Sequence, residues 1–411
     1  MNKKLLIRAL AVSLICFLAL IGVTLLANAS LLKKDAGKST SAPDAPVISG
    51  TVKEVYTDSK SFLNDKNFLD EDQPALIPEK ENTKKEVKLL VSSVTKDIRV
   101  TIVDKYGRKI EGVPFYVDIE GVGEYKDLDM DGYLYIAGIK PGNYDVTLSE
   151  NDNYKCGETM NIDVYDTVQY AALEDIMYSV VQEKDINVED EDTRQNEVYR
   201  DDTENTRIAK TGDGVEVGID VSAWQKDIDW KKVKDAGVEF AILRCGYRGS
   251  KTGALVEDSY FYKNLTGAKE AGIKVGVYFF TQAITETEAV EEASMVLALV
   301  GDTELEYPIF IDTENTNGRA DNIDKNTRTA VCDAFCKTIE KSGREAGIYA
   351  SRNWFNNKLN DDKLSDHYRW VAEYASTTAY SKRYEMWQYT SSGSIDGIKG
   401  RVDLDMSYLD K

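Results

Sequence analysis

The sequence predicts an α/β protein: an irregular (β/α) TIM-like barrel at the C-terminus, preceded by a small all-β sandwich and an N-terminal transmembrane helix. Three observations predict this order. After residue 214, eight apolar strand-like runs alternate with helix-like stretches. Residues 87–178 hold short alternating runs separated by turn residues. Residues 9–27 carry no charge.

The N-terminal element follows from charge and length. Lys3, Lys4 and Arg8 precede "ALAVSLICFLALIGVTLLA", which is long for a signal-peptide core and close to a membrane span. Basic residues before the run favour an inside N-terminus, although Lys33 and Lys34 blunt the asymmetry. "ANAS" offers a small-x-small cleavage site after Ala29. Residues 1–29 are thus a signal anchor or a signal peptide, and both readings export the rest of the chain. The expected location is the cell surface, membrane-anchored or, after cleavage, secreted.

Residues 30–86, rich in Lys, Asp, Ser, Pro and Asn, read as a solvated linker. In 87–178 the runs "VKLLVSSV", "IRVTIVD", "VPFYVDI", "YLYIAGI" and "YDVTLSE" alternate apolar and polar residues between turn signals such as "KYGRK" and "KPGNY". That pattern predicts an antiparallel β-sandwich. "DGYLYIAGIKPGNYDVTL" resembles prealbumin-like or SpaA-like modules of bacterial surface proteins. Within it, Asp127, Asp129, Asp131 and Gly132 match the opening of a calcium loop, but the twelfth position is Gly138 rather than Glu. With strands on both sides, the stretch reads as a hairpin turn. Residues 179–213 form an acidic linker, with ten acidic and three basic residues in 183–204.

In 214–411 the strands are "VEVGID", "VEFAILRC", "KVGVYFFT", "YPIFIDT", "EAGIYAS", "YRWVAEY", "EMWQYT" and "RVDLDM". Helical stretches at 230–236, 259–271, 285–300 and 325–342 separate the earlier ones. Glycines close several helices before the next strand, as connections into parallel sheets require. Crossover helices that fade toward the C-terminus point to a barrel irregular in its last strands.

Composition narrows the chemistry. Lys and Arg total 51 against 71 Asp and Glu, a net charge of −20, which argues against nucleic acid, whose phosphates need a basic face. The single histidine, His367, reads as an exposed loop residue. Serine or cysteine nucleophiles served by histidine, and His-rich zinc sites, are therefore disfavoured. Cys16, Cys156, Cys245, Cys332 and Cys336 form no metal or disulfide framework. Cys332 and Cys336 share a helix face, where core packing is favoured over a redox pair. No metal or cofactor is expected, and the chain is expected to be a monomer.

What remains is carboxylate chemistry. Barrel active sites lie at the C-terminal ends of the strands. Asp220, Asp312, Glu314 and Asp403 fall there, and side-chain alternation puts Asp312 and Glu314 on one face. Several carboxylates converging without histidine suit glycoside hydrolysis, where one acid protonates the leaving oxygen and others stabilise positive charge. Trp224, Tyr278, Trp370, Trp387 and Tyr389 are candidate sugar-stacking faces, about half of them expected in the core. Gln388, beside Trp387, is a further candidate contact. Arg244 either orients a substrate oxygen or forms a structural salt bridge. Asp229 reads as a helix cap, and Asp405 as a loop cap.

"GIDVSAWQKDIDWKKVKDAGVEFAILRCGYRG", "AGIKVGVYFF", "PIFIDTEN", "AGIYAS", "WVAEY" and "MWQYTSSGSIDGIKGRVDLD" together resemble family 25 glycoside hydrolases, the N-acetylmuramidase lysozymes. The resemblance covers essentially all of 214–411. It implies cleavage of the β-1,4 bond from N-acetylmuramic acid to N-acetylglucosamine in peptidoglycan. It also implies Glu314 as proton donor, with Asp312, Asp220 and Asp403 completing an acidic mouth. Two departures stand out. Tyr278-Phe279-Phe280 replaces a frequent Tyr-His-Phe, and Glu373 stands where a neutral or basic residue is more usual. Neither touches the four carboxylates, so altered substrate preference is expected rather than inactivity. Rival readings are a catalytically inactive barrel that binds peptidoglycan and a surface adhesin whose function resides in the sandwich.

Overall fold

The computed structural model describes residues 84–191 and 214–409. The expected 1–29 segment lies outside them, as does nearly all of the 30–86 linker. Among the described residues, no helix is long and apolar enough to cross a membrane.

The first part of the chain is a sandwich of two four-stranded sheets. One has the order β5 (Tyr133–Ala137), β2 (Asp97–Asp104), β1 (Lys85–Ser92), β7 (Tyr154–Cys156). The other runs β4 (Gly123–Lys126), β3 (Tyr116–Ile119), β6 (Gly142–Leu148), β8 (Met160–Val164). Alternation explains the core: Val117 and Ile119 of β3, Leu134 and Ile136 of β5, and Val146 and Leu148 of β6 all turn inward.

The second part is a closed barrel. Its strands are β10 (Glu216–Val221), β11 (Phe240–Arg248), β13 (Lys274–Phe280), β14 (Ile309–Asp312), β15 (Ala346–Ser351), β16 (Tyr368–Ala372), β17 (Met386–Gly393) and β18 (Val402–Ser407). Parallel pairing runs from β10 through β17, while β18 is antiparallel to both β17 and β10. The irregularity expected in the last strands is this antiparallel closure. Inward residues form a narrow core of Phe240, Ile242, Tyr278, Phe310, Trp370 and Met386. Outward residues such as Ile219, Leu243, Val277 and Ile311 pack among the helices.

Those helices are α1 (Trp230–Asp235), α2 (Phe261–Glu270), α3 (Glu286–Val300), α4 (Lys325–Lys341) and α5 (Arg352–Asn357). Each begins where its sequence supplies a cap or an apolar start. Thr285 accepts from the amide of Glu288, Asp324 from those of Asn326 and Thr327, and Asp229 from that of Lys232. After α2 the chain turns at Gly272 with φ +69°, a conformation that costs a side-chain-bearing residue about 1 kcal/mol or more.

Residues 180–191, expected as the start of a flexible acidic linker, are docked instead. β9 (Val180–Val181) pairs with β12 (Leu255–Glu257), the partner strand of β11. Glu191 accepts from the amides of Lys251 and Thr252 at 3.0 and 3.1 Å. Composition hid this, because Glu191 satisfies loop amides rather than facing water. The sandwich and barrel also share a junction. Glu291 of α3 reaches Arg99 of β2 at 2.8 Å and Arg248 of β11 at 2.9 Å. Leu173 donates its amide to Ser294 at 3.0 Å.

Candidate active site

Alternation along the barrel strands decides what faces the mouth. Gly218 and Asp220, Phe310 and Asp312, Gly347 and Tyr349, Trp370 and Ala372, Met386 and Gln388, and Asp403 and Asp405 occupy inward positions of their strands. Of these, Asp220, Asp312, Tyr349, Trp370, Gln388 and Asp403 line a cavity of about 490 Å³ at the C-terminal ends of the parallel strands. Asp220, Asp312, Glu314 and Asp403 all lie in its wall. Antiparallel register sets Asp220 directly opposite Asp403.

The carboxylates sit in a polar framework. Gln388 donates from Nε2 to Oδ2 of Asp220 at 2.7 Å. Its Oε1 accepts from the hydroxyls of Tyr349 at 2.8 Å and Tyr374 at 3.0 Å. Burial pushes both phenols well above their usual range, and neighbouring carboxylates, Glu314 and Asp220 among them, add to it. Both shifts favour the protonated phenols that donate to Gln388.

Glu314 lies just past β14, half-buried, on a loop fixed from behind. Arg328 of α4 donates to Thr313 Oγ1 at 3.2 Å and to the Ala320 carbonyl at 2.6 Å. Gln282 donates to Thr316 Oγ1 at 3.0 Å and accepts from the Ala320 amide at 3.1 Å. Across the mouth, Ser222 caps a short turn by accepting from the Trp224 amide, and Gln225 accepts from the Ser222 amide at 2.9 Å. That turn holds Trp224 at the rim.

Below the mouth, Asp405 is 0% exposed and its Oδ1 accepts from Trp370 Nε1 at 2.8 Å. Burial, then the charges of Asp220 and Asp403, push its carboxyl well above the usual carboxylate range and favour its neutral form. The loop-capping role expected for Asp405 does not hold. It lies inside the barrel because it shares an inward face with Asp403.

Among the expected contacts, Tyr278, Trp370, Gln388 and Trp224 line the cavity. Arg244 and Trp387 do not. Arg244, 1% exposed, pairs through Nε with Asp258 Oδ2 at 2.6 Å, and the same oxygen accepts from the Ala223 amide at 2.9 Å. It therefore supports the Trp224 turn from below. Trp387 is on the outward face of β17, where Nε1 donates to the Glu373 carbonyl at 2.9 Å. Tyr389 packs against it at 5.8 Å and is likewise outside the cavity wall.

Both departures from the family pattern fall outside the mouth. Phe279 points outward into the helix-packed core. Glu373 binds Arg352 at 2.7 Å and the Ala379 amide at 2.8 Å, shaping the loop that presents Tyr374. His367 is not an exposed loop residue: it is 6% exposed between Glu340 and Asp333. Sequence reasoning missed Tyr349, Tyr374 and Asn315 as cavity residues and Asp405 beneath them. Strand parity was a usable signal: Tyr349 is two residues after inward-facing Gly347 on β15, and Tyr374 is four after inward-facing Trp370, just past the end of β16.

Residues 219–398 match the family model described as Glycosyl hydrolases family 25. The "Autolytic lysozyme" of Clostridium acetobutylicum is 31% identical over 190 residues, covering 46% of this chain and 54% of that protein. "Lysozyme M1" of Streptomyces globisporus is 28% identical over 198 residues, covering 45% of this chain and 65% of that protein. The chain thus spans between half and two thirds of the length of these relatives. A solved structure of the modular autolysin LytC from Streptococcus pneumoniae, in complex with a synthetic peptidoglycan ligand, aligns with TM-score 0.43 and 26% identity. It covers 65% of this chain and 57% of that one.

Proposed function

We propose that the barrel is a cell-wall lysozyme that hydrolyses the β-1,4 bond between N-acetylmuramic acid and N-acetylglucosamine. One observation carries the reading. Four carboxylates from β10, the β14 end and β18 converge on one cavity at the catalytic end of a closed barrel. The family match over 219–398, which contains Asp220, Asp312 and Glu314, supports it.

In this reading Glu314 donates a proton to the glycosidic oxygen as the bond to the muramyl anomeric carbon breaks. The acetamido oxygen of the muramyl residue attacks that carbon from the opposite face, giving an oxazolinium. Asp312, Asp220 and Asp403 face the developing positive charge and orient the acetamido group. Water then adds to the anomeric carbon while Glu314, now a carboxylate, takes its proton. The first product keeps the β configuration. Trp224 at the rim and Tyr278 in the wall supply apolar surface for the sugar rings.

The rest of the chain fits a surface enzyme. Export through the 1–29 segment, a SpaA-like sandwich as a stand-off module, action as a monomer and retention at the membrane belong to the same proposal. The rival, an inactive peptidoglycan-binding protein, is separated by one comparison on purified peptidoglycan. The parent should release new reducing ends and Glu314→Gln should not, while both still sediment with the wall. No release by the parent rejects the enzyme reading, and equal release by both proteins rejects Glu314 as the acid.

A further inference from the structure

The turn between β4 and β5 presents Asp127, Asp129 and Asp131 on the sandwich, outside the barrel mouth. One oxygen from each lies within 4.8 Å of the others. Carboxylates this close repel unless positive charge sits between them. Asp129 and Asp131 reach solvent, but Asp127 is 2% exposed. Its Oδ2 accepts from the Gly132 amide at 2.9 Å, while its Oδ1 is buried with no hydrogen-bond partner. A buried carboxylate oxygen without a donor is costly, and the cost is relieved by a cation.

Backbone geometry holds the three acids together. Met130 and Gly132 both have positive φ, +57° and +77°, which curls the turn. At Gly132 a Cβ would come 2.4 Å from the Ile110 carbonyl oxygen, so only glycine closes it. Lys109 approaches Asp131 at 3.5 Å and Glu111 at 3.8 Å, neutralising the rim and leaving Asp127 to the interior.

We propose that this turn binds a divalent cation, with calcium as the preferred ion. Three carboxylates at alternate positions followed by glycine supply the hard oxygen donors that calcium takes in the first half of a helix-flanked loop. Here the flanks are strands, and no acid stands at Gly138 to close the far side, so water completes the shell. The affinity belongs to the weak extracellular class, Kd about 0.1–1 mM. The ion also bears on the junction with the barrel. The turn leads into β5, whose Tyr135 ring lies 5.3 Å from the Arg99 guanidinium, and Arg99 pairs with Glu291 of α3. Binding at the turn stiffens the strand that backs this contact.

The test is calorimetric titration of the purified full-length chain with calcium chloride, and separately magnesium chloride, at about 0.15 M salt to screen the net negative charge. A single saturable calcium site is expected, with magnesium at least tenfold weaker. Asp129→Asn and Asp131→Asn, both at the solvent-facing side of the turn, should each weaken calcium binding about tenfold or more. Their calcium-free melting curves and peptidoglycan hydrolysis should match the parent. Absence of saturable heat up to about 10 mM calcium, or isotherms unchanged in both variants, overturns the proposal. Equal affinity for the two ions overturns the assignment to calcium.

Discussion

The indole Nε1 of Trp370 donates to Oδ1 of Asp405 at 2.8 Å, so the ring in the cavity wall is held by a carboxyl with no access to water. That ring meets Tyr349, Phe310 and Tyr278 edge-on at centroid separations of 4.6, 5.3 and 6.2 Å. Asp405 also faces Asp220, whose charge, after burial, is one cause of its upward-shifted pKa. Burial and the neighbouring charges favour the neutral form of this acid, which accepts from Trp370 while limiting the negative charge beneath the mouth.

This arrangement separates two substitutions. Asp405→Asn keeps an acceptor and a donor in the same place and should retain hydrolysis within about threefold. Asp405→Leu strands the Trp370 N–H in the core, at a cost of about 1–3 kcal/mol, and should lower both melting temperature and kcat. Thermal melts and initial rates on purified peptidoglycan check the pair. Equal loss in both variants would mean that the proton on Asp405 has no part in the arrangement.

Glu314 is proposed to act only in the bond-breaking step. Glu314→Gln should therefore cut kcat by a factor of about 10²–10⁴, the usual contribution of a positioned general acid. Sedimentation with the cell wall should remain as in the parent. A fall in binding that matches the fall in rate would show a substrate-holding role instead.

Trp224 and Arg244 should fail in different ways. Trp224→Ala removes an apolar face at the rim, so KM should rise about twofold to tenfold with kcat and stability nearly unchanged. Asp258→Ala leaves the Arg244 guanidinium buried without its ion-pair partner, which costs about 3–5 kcal/mol. Chemical denaturation and steady-state kinetics on both variants resolve the difference.

His367 sets a pH dependence of stability rather than of catalysis. Burial works to lower its pKa, but hydrogen bonds and charges from Asp333 and Glu340 outweigh it, so the ring titrates above its usual range. A folded pKa above the unfolded one means the stabilisation is complete below about pH 6.5 and is lost as pH rises through the folded value. The stability gap between the parent and His367→Gln should widen as pH falls from about 9 to about 6. A constant gap across that window would show that His367 stays neutral.

The sequence could announce the barrel because its signals are local. Buried strands, caps such as Thr285 and Asp324, and the order of apolar runs all lie within a few residues of one another. Strand parity likewise brought Asp220, Asp312 and Asp403 to one mouth. What stayed hidden depends on partners distant in the chain. Arg244 looked available until Asp258, fourteen residues away, took its Nε. His367 looked exposed because Asp333 and Glu340 sit on α4. The docking of 180–191 depends on amides of 251 and 252, which composition cannot reveal.

The central claim is that Asp220, Asp312, Glu314 and Asp403 cleave on the reducing side of muramic acid. Digestion of purified peptidoglycan by the full-length chain, borohydride reduction and identification of the newly reduced sugar tests it most directly. The account predicts muramicitol. Glucosaminitol as the new end, or no new reduced sugar, would contradict it.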